Sequence, residues 1–133
     1  MSSVVADTHT IVWYLANDAR LSQTAIQALD RASADGEPIY LPSICLVELT
    51  YLVEKGRLPS VARDRLIRAL DESLAPCRLA PLDRMVADAL QLVDRSEVPH
   101  MPDRVIAATA IALGVPLISR DAKIRTSTVQ TLW

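Results

Sequence analysis

Phenylalanine is absent from this chain of 133 residues. Any core must therefore be assembled from Leu, Ile, Val and Ala, with Trp13, Tyr14, Tyr40, Tyr51 and Met85 as the larger fillers. Cysteine is scarce as well. Cys45 and Cys77 lie in apolar surroundings and lack CxxC spacing, which reads as two reduced core thiols in a cytosolic protein and not as a redox pair or a metal site. No apolar run approaches the ~20 residues of a membrane span. The opening Met-Ser-Ser-Val-Val-Ala-Asp has no basic segment and too few apolar residues for a signal peptide. A cytoplasmic location without membrane contact is expected. Repeats, linkers and low-complexity segments are also missing. A formal net charge of −2 gives no global sign of nucleic-acid binding, so any such contact has to come from a local basic rim.

What is present is apolar bulk. Half of the residues are hydrophobic and the mean hydropathy is +0.21, which suits a sheet covered on both faces. The length fits one domain, residues 1–133, that buries roughly two-thirds of its unfolded surface.

Strands and helices alternate along the chain. The apolar run 3–6 reads as a strand and 10–16 as a short apolar helix. Ser22 caps a helix with Ala25, Ile26, Leu29 and Ala32 on one face. Asp35-Gly36 turns the chain into a second strand at 38–41. Ser43 caps a helix running to about Lys55, which Gly56 closes in the left-handed conformation. Leu58-Pro59-Ser60 opens a helix carrying Val61, Leu66, Ile67, Leu70 and Leu74, followed by a weaker strand at 77–80. A helix over about 83–96 bears Met85, Val86, Ala89, Leu90 and Val93. The rigid turn Pro99-His100-Met101-Pro102 leads into a helix over 103–113, which Gly114 ends. Strands at 115–119 and 129–133 complete the pattern. The fold class is α/β, a mostly parallel sheet of about five strands between helical layers.

Four acids stand out in this layout: Asp7, Glu48, Asp103 and Asp121. A carboxylate just past a parallel strand points into the crevice where open α/β sheets bind ligands. Several carboxylates meeting there repel one another unless a hard cation neutralises them, and Mg²⁺ or Mn²⁺ prefers such oxygen ligands. Each acid also has an ordinary alternative. Asp7 and Asp103 are good helix caps, and Asp121 suits a turn. Glu48 has apolar or aromatic residues at three and four positions, Ile44, Cys45, Tyr51 and Leu52, so its charge needs a metal or a structural partner such as Arg.

The ordered set Asp7-Thr8-His9 with Trp13, Leu41-Pro42-Ser43 ahead of Glu48, Pro102-Asp103-Arg104, Ser119-Arg120-Asp121 and the closing Thr131-Leu132-Trp133 resembles PIN-domain ribonucleases, in particular VapC-type toxins of toxin–antitoxin systems. The resemblance spans essentially the whole chain. It implies a PIN-like three-layer α/β/α sandwich. It also implies that Asp7, Glu48, Asp103 and Asp121 form the family's acidic quartet around one or two Mg²⁺ or Mn²⁺ ions. Ser119 takes the place of a supporting hydroxyl. The segment His100-Met101-Pro102 departs from the family's commoner His-Arg-Asp-Pro-Phe, so the resemblance assigns His100 no role.

On this reading the activity is RNA cleavage by metal-activated water. Asp7, Asp103 and Asp121 hold the metal and Glu48 orients a water or bridges to a second ion. Arg104 and Arg120, beside two of the acids, are the expected phosphate contacts, whereas Lys55 and Arg57 read as ordinary solvated charges. The resemblance further implies transfer or ribosomal RNA as substrate, homodimers, and a VapB-type antitoxin that makes a heterotetramer or larger assembly. Trp13, Tyr14, Leu46, Leu49 and Val53 are candidates for the docking face. Two alternatives are a PIN domain for RNA processing without an antitoxin and a noncatalytic Mg²⁺-binding regulatory module of the flavodoxin-like type. The latter requires paired acids after the first strand, where Asp7 has no acidic neighbour.

Overall fold

The computed structural model describes residues 2–72, 74 and 76–133. Five strands, β1 (Val4–Ala6), β2 (Ile39–Pro42), β3 (Cys77–Ala80), β4 (Leu117–Ile118) and β5 (Thr131–Leu132), form one sheet in the order β3-β2-β1-β4-β5. Every pairing is parallel, with Val4 opposite Ile39, Val5 opposite Leu117, Ile39 opposite Cys77 and Ile118 opposite Leu132. The sheet is thus wholly parallel, where the sequence pattern indicated a mostly parallel one. Seven α-helices are found among the described residues: α1 (Thr8–Ala16), α2 (Gln23–Ala34), α3 (Ser43–Glu54), α4 (Ser60–Asp71), α5 (Arg84–Ala89), α6 (Met101–Leu113) and α7 (Ala122–Arg125). Together they make the three-layer α/β/α sandwich. None is long and apolar enough to cross a membrane.

The central strands are buried end to end because helices cover both of their faces. Val4, Val5, Ala6, Leu117 and Ile118 are all buried, and Leu29, Ile11, Leu49, Leu66 and Ile106 pack on them from the helices. The edge strand β3 buries Cys77 and Ala80 but leaves Arg78 and Leu79 exposed. Both cysteines are free thiols in buried positions. Trp13 enters the core, whereas Met85 and Tyr51 are 54% and 59% exposed and fill none of it. Small aliphatic residues pack the space instead.

The element boundaries that differ from the sequence pattern have local causes. α1 begins at Thr8 because Asp7 caps it, its carboxylate accepting from the Thr10 N–H at 3.0 Å. Ser43 is the first residue of α3 and not its cap; its hydroxyl accepts from the Leu82 N–H. α4 ends at Asp71, where two successive acids oppose the helix dipole, so Leu74 lies outside it and is 98% exposed. The helix expected over 83–96 stops at Ala89 and tightens into a 3₁₀ turn, Leu90–Leu92. Arg104 causes this: its guanidinium donates to the carbonyls of Leu90 and Val93, both at 3.0 Å, and holds the chain out of the helical path. α6 starts at Met101 because a proline at the second position of a helix loses no hydrogen bond. Gly114 ends it with φ +68°, a left-handed conformation that a side chain would strain.

The strand order places a topological switch point between β1 and β4: the chain leaves β1 toward β2 and β3, then returns to lay β4 on the other side. Ligand crevices of open α/β sheets lie outside the carboxyl ends of the strands at such a point. Here the two strand ends are stitched together. The Asp7 N–H and the buried Thr10 hydroxyl both donate to the Ile118 carbonyl, at 3.3 and 3.0 Å.

Candidate active site

Directly above that stitch is a crevice of about 390 Å³ lined by Asp7, Thr8, His9, Thr10, Trp13, Glu48, Asp103, Ile106, Arg120 and Asp121. All four acids predicted from the sequence meet in it. Asp7 arrives on the end of β1, Glu48 from the middle of α3, Asp103 from the first turn of α6, and Asp121 just past β4.

Each carboxylate is oriented by a different device. Asp7 caps its helix, as its ordinary reading allows, and Asp121, read as a turn residue, caps α7; capping is what aims them. Asp103, read as a cap, instead lies in the first turn of α6, behind His100 at the cap position. Asp7 Oδ1 accepts from the Thr10 N–H, and Asp121 Oδ1 accepts from the Lys123 and Ile124 N–H groups at 2.8 and 3.4 Å. Their Oδ2 atoms have no hydrogen-bond partner among the described residues. Ser119 is fully buried and accepts the Asp121 N–H at 3.1 Å, which fixes the turn that presents Asp121. Glu48 has a structural partner, but it is a hydroxyl and not an arginine. Thr8 Oγ1 donates to Glu48 Oε1 at 2.7 Å. Sequence pattern alone does not single out Thr8, one of three polar residues in the first turn of α1; in the fold it is buried at 4% exposure.

Asp103 reports the electrostatics of the crevice. A carboxylate in the first turn of a helix is normally held ionised by the helix dipole. Here it is pushed up to about 6, chiefly by burial and then by the negative charges of Asp121, Glu48 and Asp7, against the opposing pull of His100. Burial, reinforced by the neighbouring charges, overcomes the dipole. His100 itself is exposed at the cap position of α6 and makes no side-chain cap bond.

The donor set is all oxygen, anionic and hard, which suits Mg²⁺ or Mn²⁺ and not a thiophilic metal. Cys45 is sealed beneath the crevice floor at 0% exposure, its thiol pushed well up by burial. Among the described residues no three His, Cys, Asp or Glu side chains are grouped closely enough to hold a metal ion by themselves.

The two arginines separate. Arg120 is exposed and lines the crevice. Arg104, expected at the same rim, is half-buried and committed to the Leu90 and Val93 carbonyls; it is not among the lining residues. Its role is to shape the segment that precedes α6. Lys55, read as a solvated charge, lies 5.9 Å from the centre of the Tyr51 ring. The apolar residues expected to offer a docking face are largely used by the core. Trp13 and Leu49 are buried, and Tyr14, Leu46 and Val53 pack against it, leaving Val47 and Tyr51 as the exposed apolar residues of α3.

Comparison with known proteins agrees with this architecture. The PIN domain pattern matches residues 4–127. Ribonuclease VapC22 of Mycobacterium tuberculosis is 31% identical over 127 residues, 94% of this chain and 92% of the relative. Among solved structures, the fold is similar to that of VapBC2 from Rickettsia felis bound to a DNA fragment from its promoter, with a TM-score of 0.71 at 17% identity over 98% of this chain and 99% of that one. FitAcB from Neisseria gonorrhoeae superposes with a TM-score of 0.64 at 22% identity, covering 96% of this chain and 95% of its own. The alignment spans all four acids, and this chain belongs to the PIN domain family as a VapC-type member.

Proposed function

We propose that this protein is a Mg²⁺- or Mn²⁺-dependent endoribonuclease and the toxin of a toxin–antitoxin pair. The observation that carries the reading is the convergence of four carboxylates on one crevice at the switch point, where burial and then the other three charges push Asp103 up to about 6. A structural set of caps has no reason to face one another across an open crevice; a cation site does.

Asp7, Asp103 and Asp121 would hold the ion, directly or through water, with Glu48 beside them. Bound there, Mg²⁺ or Mn²⁺ supplies Lewis-acid charge for the phosphoryl oxygens and an activated water for attack. The chain's own residues place the reactants. Thr8 fixes one oxygen of Glu48 and leaves the other for orienting a water. Ser119 and the helix N–H groups hold Asp121 in register with Asp7. Arg120 is the one arginine lining the crevice and the candidate phosphate contact. Attack by water leaves a 5′-phosphate and a 3′-hydroxyl. Single-stranded or looped RNA fits an open crevice because its backbone can be bent into it, and transfer or ribosomal RNA is the substrate class the family suggests.

The relatives also bear on partners. Two of the similar structures are of VapBC2 and of a toxin–antitoxin complex from Klebsiella pneumoniae, the latter with a TM-score of 0.62 at 22% identity. By analogy this chain would be bound by a VapB-type antitoxin; a homodimer in the cytoplasm, held inactive by that partner, is the assembly we propose.

The test is cleavage of total RNA by purified protein in Mg²⁺ or Mn²⁺. Asp7→Asn and Asp103→Asn keep the side-chain shape and remove the charge, so each should lower cleavage by a hundredfold or more while the fold is retained. Wild-type activity that survives excess EDTA would overturn the metal reading.

A further inference from the structure

One feature of the crevice mouth is not explained by holding a metal. Trp13, in the second turn of α1, is buried at 7% exposure yet lines the crevice. Two guanidinium groups lie against its ring: Arg20 at 5.0 Å and Arg120 at 5.5 Å from the centroid. His9 and Trp133 pack on it as well, with ring centroids 5.5 and 6.1 Å away.

The two arginines are in different electrostatic states. Arg20 grips Asp18 with Nε at 3.0 Å and Nη2 at 2.8 Å, so its charge is neutralised locally. Arg120 makes no salt bridge among the described residues, although Asp121 follows it and three further acids line the same crevice. An exposed arginine beside four carboxylates would ordinarily fall onto one of them. The indole face offers the guanidinium a competing, planar resting place. Two consequences follow together. The carboxylates keep their charge for a cation, and one unpaired guanidinium stays fixed at the mouth.

We infer that Trp13 is a positioning residue for substrate: its indole holds Arg120 off the acidic quartet and aims the guanidinium at a phosphodiester of the RNA strand next to the one being cut. The inference rests on the nuclease reading and adds to it a defined backbone subsite. Arg120 touches the substrate; Trp13 acts through it. A planar, two-pronged donor suits a phosphate, and the contact with the Trp13 ring, 5.5 Å from its centroid, keeps it at the mouth.

The experiment compares wild type with Arg120→Ala, Arg120→Lys, Trp13→Phe, Trp13→Leu and the double variant Trp13→Leu/Arg120→Ala. Steady-state cleavage of a short single-stranded RNA in Mn²⁺ gives KM and kcat. Binding of the same RNA, fluorescein-labelled and in Ca²⁺, is followed across a salt series. Arg120→Ala should raise KM about tenfold with kcat little changed, as expected for loss of one charge-assisted contact. It should also lower the slope of log affinity against log salt by about 0.7, the value for one phosphate on a single strand. Trp13→Leu should do the same, and the double variant should be no worse than either single one. Arg120→Lys keeps the charge without the planar two-pronged donor and should not restore KM, whereas Trp13→Phe keeps a ring and should retain most of it. Additive effects in the double variant, or a wild-type KM for Arg120→Lys, would overturn the role of Trp13. If Trp13→Leu does not fold, Arg120→Lys and Trp13→Phe still decide. A wild type that neither binds nor cuts RNA strikes at the nuclease reading itself, a different failure from active wild type with an indifferent Trp13.

Discussion

Removing the charge of Asp103 should make the ion-free protein more stable at neutral pH. Folding carries this carboxyl from 3.8 to about 6, so the folded state holds its proton more tightly than the unfolded chain does. The stability linked to that proton is fully present below pH ~4 and is lost as pH rises through about 6. Linkage sets a ceiling of about 3 kcal/mol on the loss. Asp103 is only half-buried, and solvent screening brings the expectation to about 1–2 kcal/mol. For a domain of this length that is about 3–6 °C in melting temperature.

Melting curves in EDTA between pH 4 and 8 expose the effect when wild type is compared with Asp103→Asn, because titrations outside the crevice are shared. Wild type should lose stability across pH 5–7 relative to the variant. Adding Mn²⁺ should reverse the ranking at pH 7.5. An ion at a hundred times its dissociation constant stabilises by about 2.7 kcal/mol, and the variant lacks one of the ligands needed to gain that. Parallel pH profiles for the two proteins in EDTA would refute the claim that the acids crowd one another. Equal shifts with Mn²⁺ would refute Asp103 as a ligand.

Three further outcomes are expected. Thr8→Val removes the hydroxyl that orients Glu48 and should lower kcat about tenfold, with Thr8→Ser restoring it; RNA cleavage kinetics measure both. Ser119→Ala leaves the Asp121 N–H without its acceptor and should weaken Mn²⁺ binding about tenfold, read by isothermal titration. Induced expression of this chain alone should arrest growth and Asp103→Asn should relieve the arrest at matched protein level; equal harmlessness of the two would favour RNA processing over a toxin.

The sequence carries the layout of this protein further than its details, and the reason is physical. Buried parallel strands announce themselves as short Val/Ile runs, and the acids that follow β1 and β4 fall where any open α/β sheet makes a crevice. Asp7 and Asp121 are therefore legible from position, Glu48 from its apolar neighbours, and the set of four from the resemblance to PIN-domain ribonucleases. What periodicity does not encode is contact between residues distant in the chain. The 3₁₀ break after Ala89 depends on Arg104, which lies beyond the turn at Pro99, and the same pair of hydrogen bonds removes Arg104 from the crevice. Thr8 reaching Glu48 and Trp13 reaching Arg120 are likewise long-range pairings. The acids are set by their elements, but what holds each one's aim, and which arginine remains free, depends on these pairings. Of two arginines that look equivalent in sequence, the one beside Asp103 is drawn inward to loop carbonyls, and the one beside Asp121 lies at the surface against the Trp13 ring, with no carboxylate partner among the described residues.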